Sequence, residues 1–180
     1  MAGTTKISRG KRKSSTKVDY LAGLTGAASP DLVILVAASY RVVIDRLMSA
    51  MQRRGLRDMR PAYGFVIRAV AAESPNINRL AELLDTSKQA ASKLADAMVR
   101  ADFLERFGDP EDRRVQRLRL ARKGRRVLAT ALATSRKLEE ELRAASGGTH
   151  PAGLRGGLLS LLSRHGALEE VLARRARPVW

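Results

Sequence analysis

The sequence contains no cysteine and only two histidines among its 180 residues. Without cysteine the chain has no disulfides, no thiolate metal site and no thiol-based redox sensor. His150 and His165 also lack the clustered acidic residues that would complete a metal site. We therefore expect no metal and no cofactor.

Long apolar runs are missing as well, since no stretch reaches the roughly 18 residues that cross a bilayer. The basic N-terminus has no apolar segment of the kind that a secretory signal requires. These features predict a cytoplasmic protein without a membrane partner. The chain also has no P-loop, no dinucleotide fingerprint and no pattern of a catalytic nucleophile with its base, so we do not expect an enzyme.

Acidic residues are few: 18 Asp and Glu stand against 34 Lys and Arg, a net charge of +16. Such an excess favours a polyanionic partner, nucleic acid before an anionic membrane, over charge that serves only solubility. The excess is uneven, because residues 1–29 carry +5 and residues 76–120 only +1. Basic residues in the second segment must therefore be judged by position.

Residues 1–29 are rich in Ser, Thr, Gly, Lys and Arg, which predicts a disordered basic arm. Arg9-Gly10-Lys11-Arg12 faintly resembles a minor-groove hook, and a flexible tail with only non-specific affinity is the alternative. Residues 30–180 are expected to form a single domain with a normal core.

The first predicted helix begins at Ser29-Pro30-Asp31, where Ser suits the N-cap and Pro the first helical position. From Leu32 to Ala38 it is apolar all round, so burial on more than one side is expected, with a partner subunit as cover. A second helix is predicted over residues 58–72, and Glu73-Ser74-Pro75 ends it.

Residues 76–100 have the pattern of a helix, a turn and a second helix. Asn76 suits the N-cap of the first, Asp85-Thr86 the turn, and Ser87 the N-cap of the second. Apolar positions recur inward at helical spacing: Leu80, Ala81 and Leu84, then Ala91, Leu94, Ala95 and Met98. Asp102 is expected to end the second helix in a left-handed conformation.

A hairpin and further helices follow. Residues 103–107 and 115–120 predict two strands joined through Gly108-Asp109-Pro110, and the second strand alternates between leucine and arginine. A long helix is predicted over residues 123–143, with apolar positions three and four apart that suit a helix–helix seam. Gly147-Gly148 breaks it before a leucine-rich terminal helical region.

This order of elements resembles the MarR family of bacterial transcription regulators over residues 30–176. TSKQAASKLADAM (86–98) and FGDPEDRRVQRLRLARKG (107–124) carry the resemblance. The second holds an Asp-x-Arg signature at residues 112–114, a hydrophobic strand, and a helix start from Ala121 to Gly124. Ala121 replaces the usual capping threonine, a loss of about 1 kcal/mol, and Asp85 and Asp102 replace common glycines.

The resemblance implies a mainly α fold with a small β-hairpin wing (α+β): a MarR-like winged helix-turn-helix with N- and C-terminal dimerisation helices. Residues 56–122 are predicted to form the DNA-binding lobe, and residues 30–54 and 123–177 the dimerisation helices. A homodimer would place two recognition helices roughly 34–36 Å apart on a pseudo-palindromic site in double-stranded DNA. A monomeric helical shell is the alternative.

The helix over residues 87–100 would enter the major groove with its N-terminal end. The residues predicted to contact DNA from it are Ser87, Lys88, Gln89, Ser92 and Lys93. Gln suits adenine, Lys suits guanine or phosphate, and Ser suits phosphate or a base. A solvated polar helix face is the alternative.

In the wing, the candidates are Asp112, Arg113 and Arg114. The resemblance implies that one arginine, preferably Arg114, enters the minor groove or holds the flanking backbone while Asp112 orients it. A narrow minor groove attracts arginine electrostatically. An Asp–Arg pair that only rigidifies the hairpin is the alternative.

The predicted function is that of a homodimeric, sequence-specific transcription regulator, usually a repressor, that is cytoplasmic and nucleoid-associated. The resemblance further implies a small aromatic effector; Tyr40, Arg60, Tyr63 and Phe65 either line its crevice or belong to the core, so the ligand-binding residues stay open. The alternative function is a nucleoid-associated architectural protein that coats DNA with low sequence specificity.

Overall fold

The computed structural model describes residues 31–112, 114–145 and 150–172. Contacts along the chain divide it into two units, Met1–Arg41 and Val42–Trp180, and each is described by itself. Helix α1 (Leu32–Arg53) begins in the first unit and continues into the second.

In the first unit, Asp31 caps α1: its carboxylate accepts a hydrogen bond from the Val33 N–H at 2.7 Å. The helix therefore begins later than predicted, while Ser29 and Pro30 lie outside the described residues. Residues 32–38, which the sequence predicts to be covered by a partner subunit, are all exposed in the single chain, and Leu32 is 71% exposed. Their cover by a partner stays a prediction.

The second unit is mainly helical, which confirms the predicted fold class. Its helices are α2 (Pro61–Glu73), α3 (Ile77–Leu83), α4 (Lys88–Arg100), α5 (Arg122–Ala145), α6 (His150–Arg164) and α7 (Leu168–Leu172). Strands β1 (Leu104–Gly108) and β2 (Gln116–Leu120) form an antiparallel hairpin between α4 and α5, in which Leu104 pairs with Leu120 and Gly108 with Gln116. Within the described ranges, no helix is long and apolar enough to span a membrane.

Helix α2 begins at Pro61, three residues later than predicted. Arg60 precedes proline and is extended (φ −121°, ψ 150°), because the proline ring disfavours helical angles in the residue before it. The strands begin one residue later than predicted, and α5 is longer at both ends than its predicted range. The predicted break at Gly147-Gly148 lies outside the described residues.

The turns follow the predicted chemistry. Asn76 accepts the Arg79 N–H at 2.9 Å and Ser87 accepts the Ala90 N–H at 3.2 Å, so both predicted N-caps are confirmed. Asp85 and Asp102 have φ of 48° and 59°, which confirms that aspartate adopts the left-handed angles there.

The core of the second unit lies between α2, α3, α4 and the hairpin. Its most deeply buried side chains are Val66, Leu80, Ala91, Ala95, Met98, Phe103 and Leu118. Most of the predicted inner positions lie in this core, including Ala81 and Leu84. The opposite side of α4, with Lys88, Gln89 and Lys93, is exposed and does not contribute to this core.

The base of the hairpin is attached to the helices on both sides. The Leu118 N–H donates to the Pro75 carbonyl at 3.0 Å, which adds the α2–α3 turn to the edge of β2. The Ala121 N–H donates to the Phe103 carbonyl at 3.1 Å and thereby joins the start of α5 to the start of β1. The wing is thus held at a defined position relative to α4.

We expect Gly124→Ala to lower the free energy of unfolding by about 1–3 kcal/mol. A Cβ at Gly124 would lie 2.1 Å from the Phe103 carbonyl oxygen, so the junction between wing and α5 would have to open. Denaturant unfolding followed by circular dichroism measures this. Gly108→Ala is the control, because its Cβ would meet open space; equal stability of the two variants would contradict the account.

Candidate nucleic-acid interface

Helix α4 has two chemically distinct sides. Ala91, Ala95 and Met98 are fully buried in the core. Of the predicted contact residues, Ser87, Lys88, Gln89 and Lys93 are exposed, whereas Ser92 is half-buried and faces outward less than predicted. The structure therefore brings both lysines and the glutamine together on the first two turns of one helix.

The N-terminal end of α4 is electrostatically suited to anions. The first unpaired N–H groups of a helix carry partial positive charge, and Lys88 and Lys93 add two full charges beside them. No acidic residue occurs from Ser87 to Ala95. Because Ser87 uses its oxygen as the cap acceptor, its hydroxyl hydrogen can still be donated to a phosphate.

Ion pairs position α4 and its neighbours. Asp96, on α4, accepts a hydrogen bond from the Arg106 guanidinium of β1 at 2.6 Å. Arg79 of α3 joins Glu73 at 2.8 Å and Glu82 at 2.9 Å. Two guanidinium groups thus pair with three carboxylates, and both lysines remain exposed on the first two turns of α4.

The wing is closed by Asp109, a buried carboxylate. It accepts the Glu111 N–H at 2.9 Å and the Arg117 guanidinium of β2. The hydrogen bond from the Glu111 backbone and then the pairing with Arg117 lower the pKa of Asp109 below its ordinary value. Asp109 and Arg117 thus rigidify the hairpin, a role that the sequence interpretation did not give them. In the sequence, only the predicted turn at Gly108-Asp109-Pro110 indicated this role for Asp109.

Asp112 contacts the backbone of the wing turn, and its predicted part in orienting an arginine toward DNA stays a prediction. Its carboxylate accepts the Arg114 backbone N–H at 3.0 Å, and its carbonyl accepts the Val115 N–H at 2.9 Å. Asp112 therefore shapes the wing turn through the backbone. Arg114 is exposed near the end of this turn. Arg113 lies outside the described residues.

The aromatic residues considered for an effector crevice differ in how far they are buried. Tyr63 is buried and packs edge-on against Phe103, with ring centroids 5.6 Å apart, so it belongs to the core. Phe65 is half-buried, and Tyr40, in the first unit, is exposed. No cluster of potential metal ligands occurs in residues 31–112, 114–145 and 150–172.

We predict that Asp109→Asn lowers the Tm at pH 7 and that the difference from the wild type narrows below about pH 4. A lowered pKa in the folded state means that the carboxylate stabilises the fold above its unfolded pKa and loses this effect as the pH falls through the folded value. The variant lacks the carboxylate at every pH.

Thermal unfolding between pH 7 and pH 3 measures this difference. Glu111→Gln removes an exposed carboxylate two residues away and should change the Tm little. A Tm difference for Asp109→Asn that stays constant over this range would contradict the assigned role.

Comparison with known proteins agrees with this architecture. The MarR family model matches residues 71–116, from the end of α2 to the first residue of β2. No curated protein matches the chain significantly.

Several solved structures share the fold. MarR is 17% identical, covers 72% of this chain and 96% of its own, and has a TM-score of 0.53. The transcriptional regulator BldR from Sulfolobus solfataricus is 23% identical over 83% of this chain and 99% of its own, with a TM-score of 0.51. A mutant of MepR from S. aureus, bound to an oligodeoxyribonucleotide, is 14% identical over 75% of this chain and 98% of its own, with a TM-score of 0.51. The match of the family model over residues 71–116 and the shared architecture show that the chain has a MarR-like winged helix-turn-helix fold.

Proposed function

We propose that the protein is a homodimeric transcription regulator, most simply a repressor, that binds a specific pseudo-palindromic operator. One observation carries the proposal: α4 is fixed in the core by Ala91, Ala95 and Met98 and exposes Lys88, Gln89 and Lys93 on its first two turns. A rigid helix with a polar, basic N-terminal end suits the major groove of DNA. The proposal includes no catalytic step.

The residues divide into two kinds of contact. Gln89 carries both a donor and an acceptor and can pair with adenine in two places, so it is the proposed base-reading residue. Lys88 and Lys93 contact guanine or phosphate, and Ser87 and Ser92 hold the backbone. The helix N-terminus adds its own attraction for phosphate.

The wing supplies the second contact. Asp109 and Arg117 close the hairpin and Asp112 shapes its turn, which leaves Arg114 exposed. We propose that Arg114, together with Arg113, enters the minor groove or holds the flanking backbone, where a narrow groove attracts guanidinium groups.

Exposed apolar surface in both units supports the proposal that the protein is a homodimer. In the first unit Leu32, Val33 and Ile34 are exposed; in the second, Leu154 and Leu158 of α6 are exposed. Contiguous exposed apolar surface is unfavourable in water and marks protein interfaces. We propose that the two copies cover these residues and place the two α4 helices about one DNA turn apart.

A small aromatic effector is proposed as the signal. A groove of about 590 Å³ between α1 and α5 within the second unit supports it. Its lining combines apolar Val42, Ala50 and Leu138 with two carboxylates and four cations, and one carboxylate, Glu141, pairs with Arg46 at 2.6 Å. The excess of cations suits a ring that bears an acidic group. An effector that prefers one spacing of the DNA-binding lobes would shift the operator affinity. A cytoplasmic, nucleoid-associated location follows from the DNA partner.

The net charge of +16 favours a second function, an architectural protein that coats DNA with little sequence preference. The two functions differ in the ratio of specific to non-specific affinity. A regulator prefers its operator over random DNA by about 10³-fold or more, whereas a coating protein shows almost no preference.

We predict that selection of bound sites from random duplexes yields a pseudo-palindrome with half-sites about ten base pairs apart. Fluorescence anisotropy at fixed salt then compares the selected duplex, a single half-site and a scrambled duplex. The full site should bind at least about 10³-fold more tightly than the scrambled one. Equal affinity for all three duplexes would support the coating function and contradict the regulator.

We predict that Arg114→Ala weakens binding to the selected operator by about 1–3 kcal/mol. The loss of affinity should come from the base pairs that flank the site. The base preference at the positions that α4 contacts should stay the same. Arg136→Ala is the matched control, because it removes an exposed arginine from α5. Unchanged affinity of the Arg114 variant at physiological salt would remove this residue from the interface.

A further inference from the structure

A second basic surface lies at the far end of α4. Arg57 and Arg60, between α1 and α2, and Arg100, in the last turn of α4, line a cavity of about 480 Å³. We propose that this arginine pocket (Arg57, Arg60 and Arg100) binds a phosphate-bearing anion. Arg100 lies twelve positions after Lys88, or about 18 Å along the helix axis, so the pocket is separate from the proposed DNA-reading end.

The charge around the pocket is strongly positive. Asp58 is the one acidic residue among the described residues that line it, and the Lys123 ammonium donates to the Asp58 carboxylate at 2.9 Å. Within the described part of the chain, the three arginines form no ion pair with a carboxylate. Three guanidinium groups are therefore left without a counter-ion beside an acid that is already neutralised.

One side of the pocket is packed against the core. The Arg60 guanidinium lies 5.9 Å from the centre of the Tyr63 ring, and Tyr63 is buried against Phe103. The same Lys123 ammonium lies 4.4 Å from the Phe103 ring centre and donates to the Ala101 carbonyl at 3.0 Å. Tyr63, the lining residue beside the Arg60 guanidinium, is thus held by core packing, so this side of the pocket is formed before an anion binds.

The chemistry of the lining selects phosphate. Guanidinium groups bind phosphate oxygens through two parallel hydrogen bonds each, and three of them can satisfy a doubly charged group. The described lining offers a single aromatic side chain, and that one is buried in the core, so the pocket is poorly suited to an aromatic effector. The phosphate could belong to a free phosphorylated small molecule or to the DNA backbone.

Calorimetric titration with inorganic pyrophosphate, at constant ionic strength and with chloride as the reference anion, tests the pocket. Saturable binding of one pyrophosphate per chain is expected. The double variant Arg57→Gln/Arg100→Gln should weaken it at least about tenfold, while Arg136→Gln, which removes one exposed arginine elsewhere, should not. Absence of binding to the wild type, or an equal loss in the control, would overturn the proposal.

A measurement on the wild type avoids dependence on the folding of the variants. Pyrophosphate should protect the three pocket arginines from phenylglyoxal, as detected by peptide mass spectrometry, and leave Arg136 reactive. Equal protection of Arg136, or no protection in the pocket, would overturn the proposal as well.

Operator binding by the double variant identifies the source of the phosphate. Unchanged operator affinity assigns the pocket to a free phosphorylated molecule. A weaker operator complex, whose salt dependence falls by about one unit for each arginine that contacts phosphate, assigns it to the DNA backbone. The pyrophosphate titration needs no operator, so failure of the pocket and failure of the proposed DNA-binding function are distinguishable.

Discussion

The junction at Phe103 is the constraint on which the rest of the second unit depends. Its side chain is fully buried beside Tyr63, and its carbonyl accepts the Ala121 N–H at the start of α5. Gly124 has no Cβ and so allows α5 to approach that carbonyl. The end of α4, the start of the wing and the start of α5 are thereby fixed at one point, and a rigid relation between helix and wing is what recognition of two adjoining grooves requires.

The placement of the charged residues explains how a segment of almost neutral net charge can present a basic surface, since each ion pair removes one acid and one arginine alike. Asp96, Glu105 and Asp109 each pair with an arginine of the hairpin. The charges that are left at the surface include Lys88, Lys93 and Arg114. The position of the unpaired cations, and not the net charge of the segment, therefore determines which surface attracts phosphate.

Local side-chain chemistry made the helix caps and the turn conformations predictable from the sequence. The caps at Asn76 and Ser87 and the left-handed angles at Asp85 and Asp102 depend on residues within one turn of each other, and these predictions are confirmed. The pairing of Asp109 with Arg117 depends on the register of the two strands, which the seven intervening residues do not define. The exposure of the start of α1 depends on whether a second chain covers it, and a single sequence does not contain that information.

Single cysteines give the most direct test that the first two turns of α4 lie in the major groove, because the chain has no cysteine of its own. Gln89→Cys and, as a control on α5, Arg136→Cys are alkylated in the free protein and in the operator complex. We predict that operator DNA strongly protects the cysteine at position 89 and does not protect the one at position 136. Equal alkylation of the cysteine at position 89 with and without bound operator would contradict this prediction.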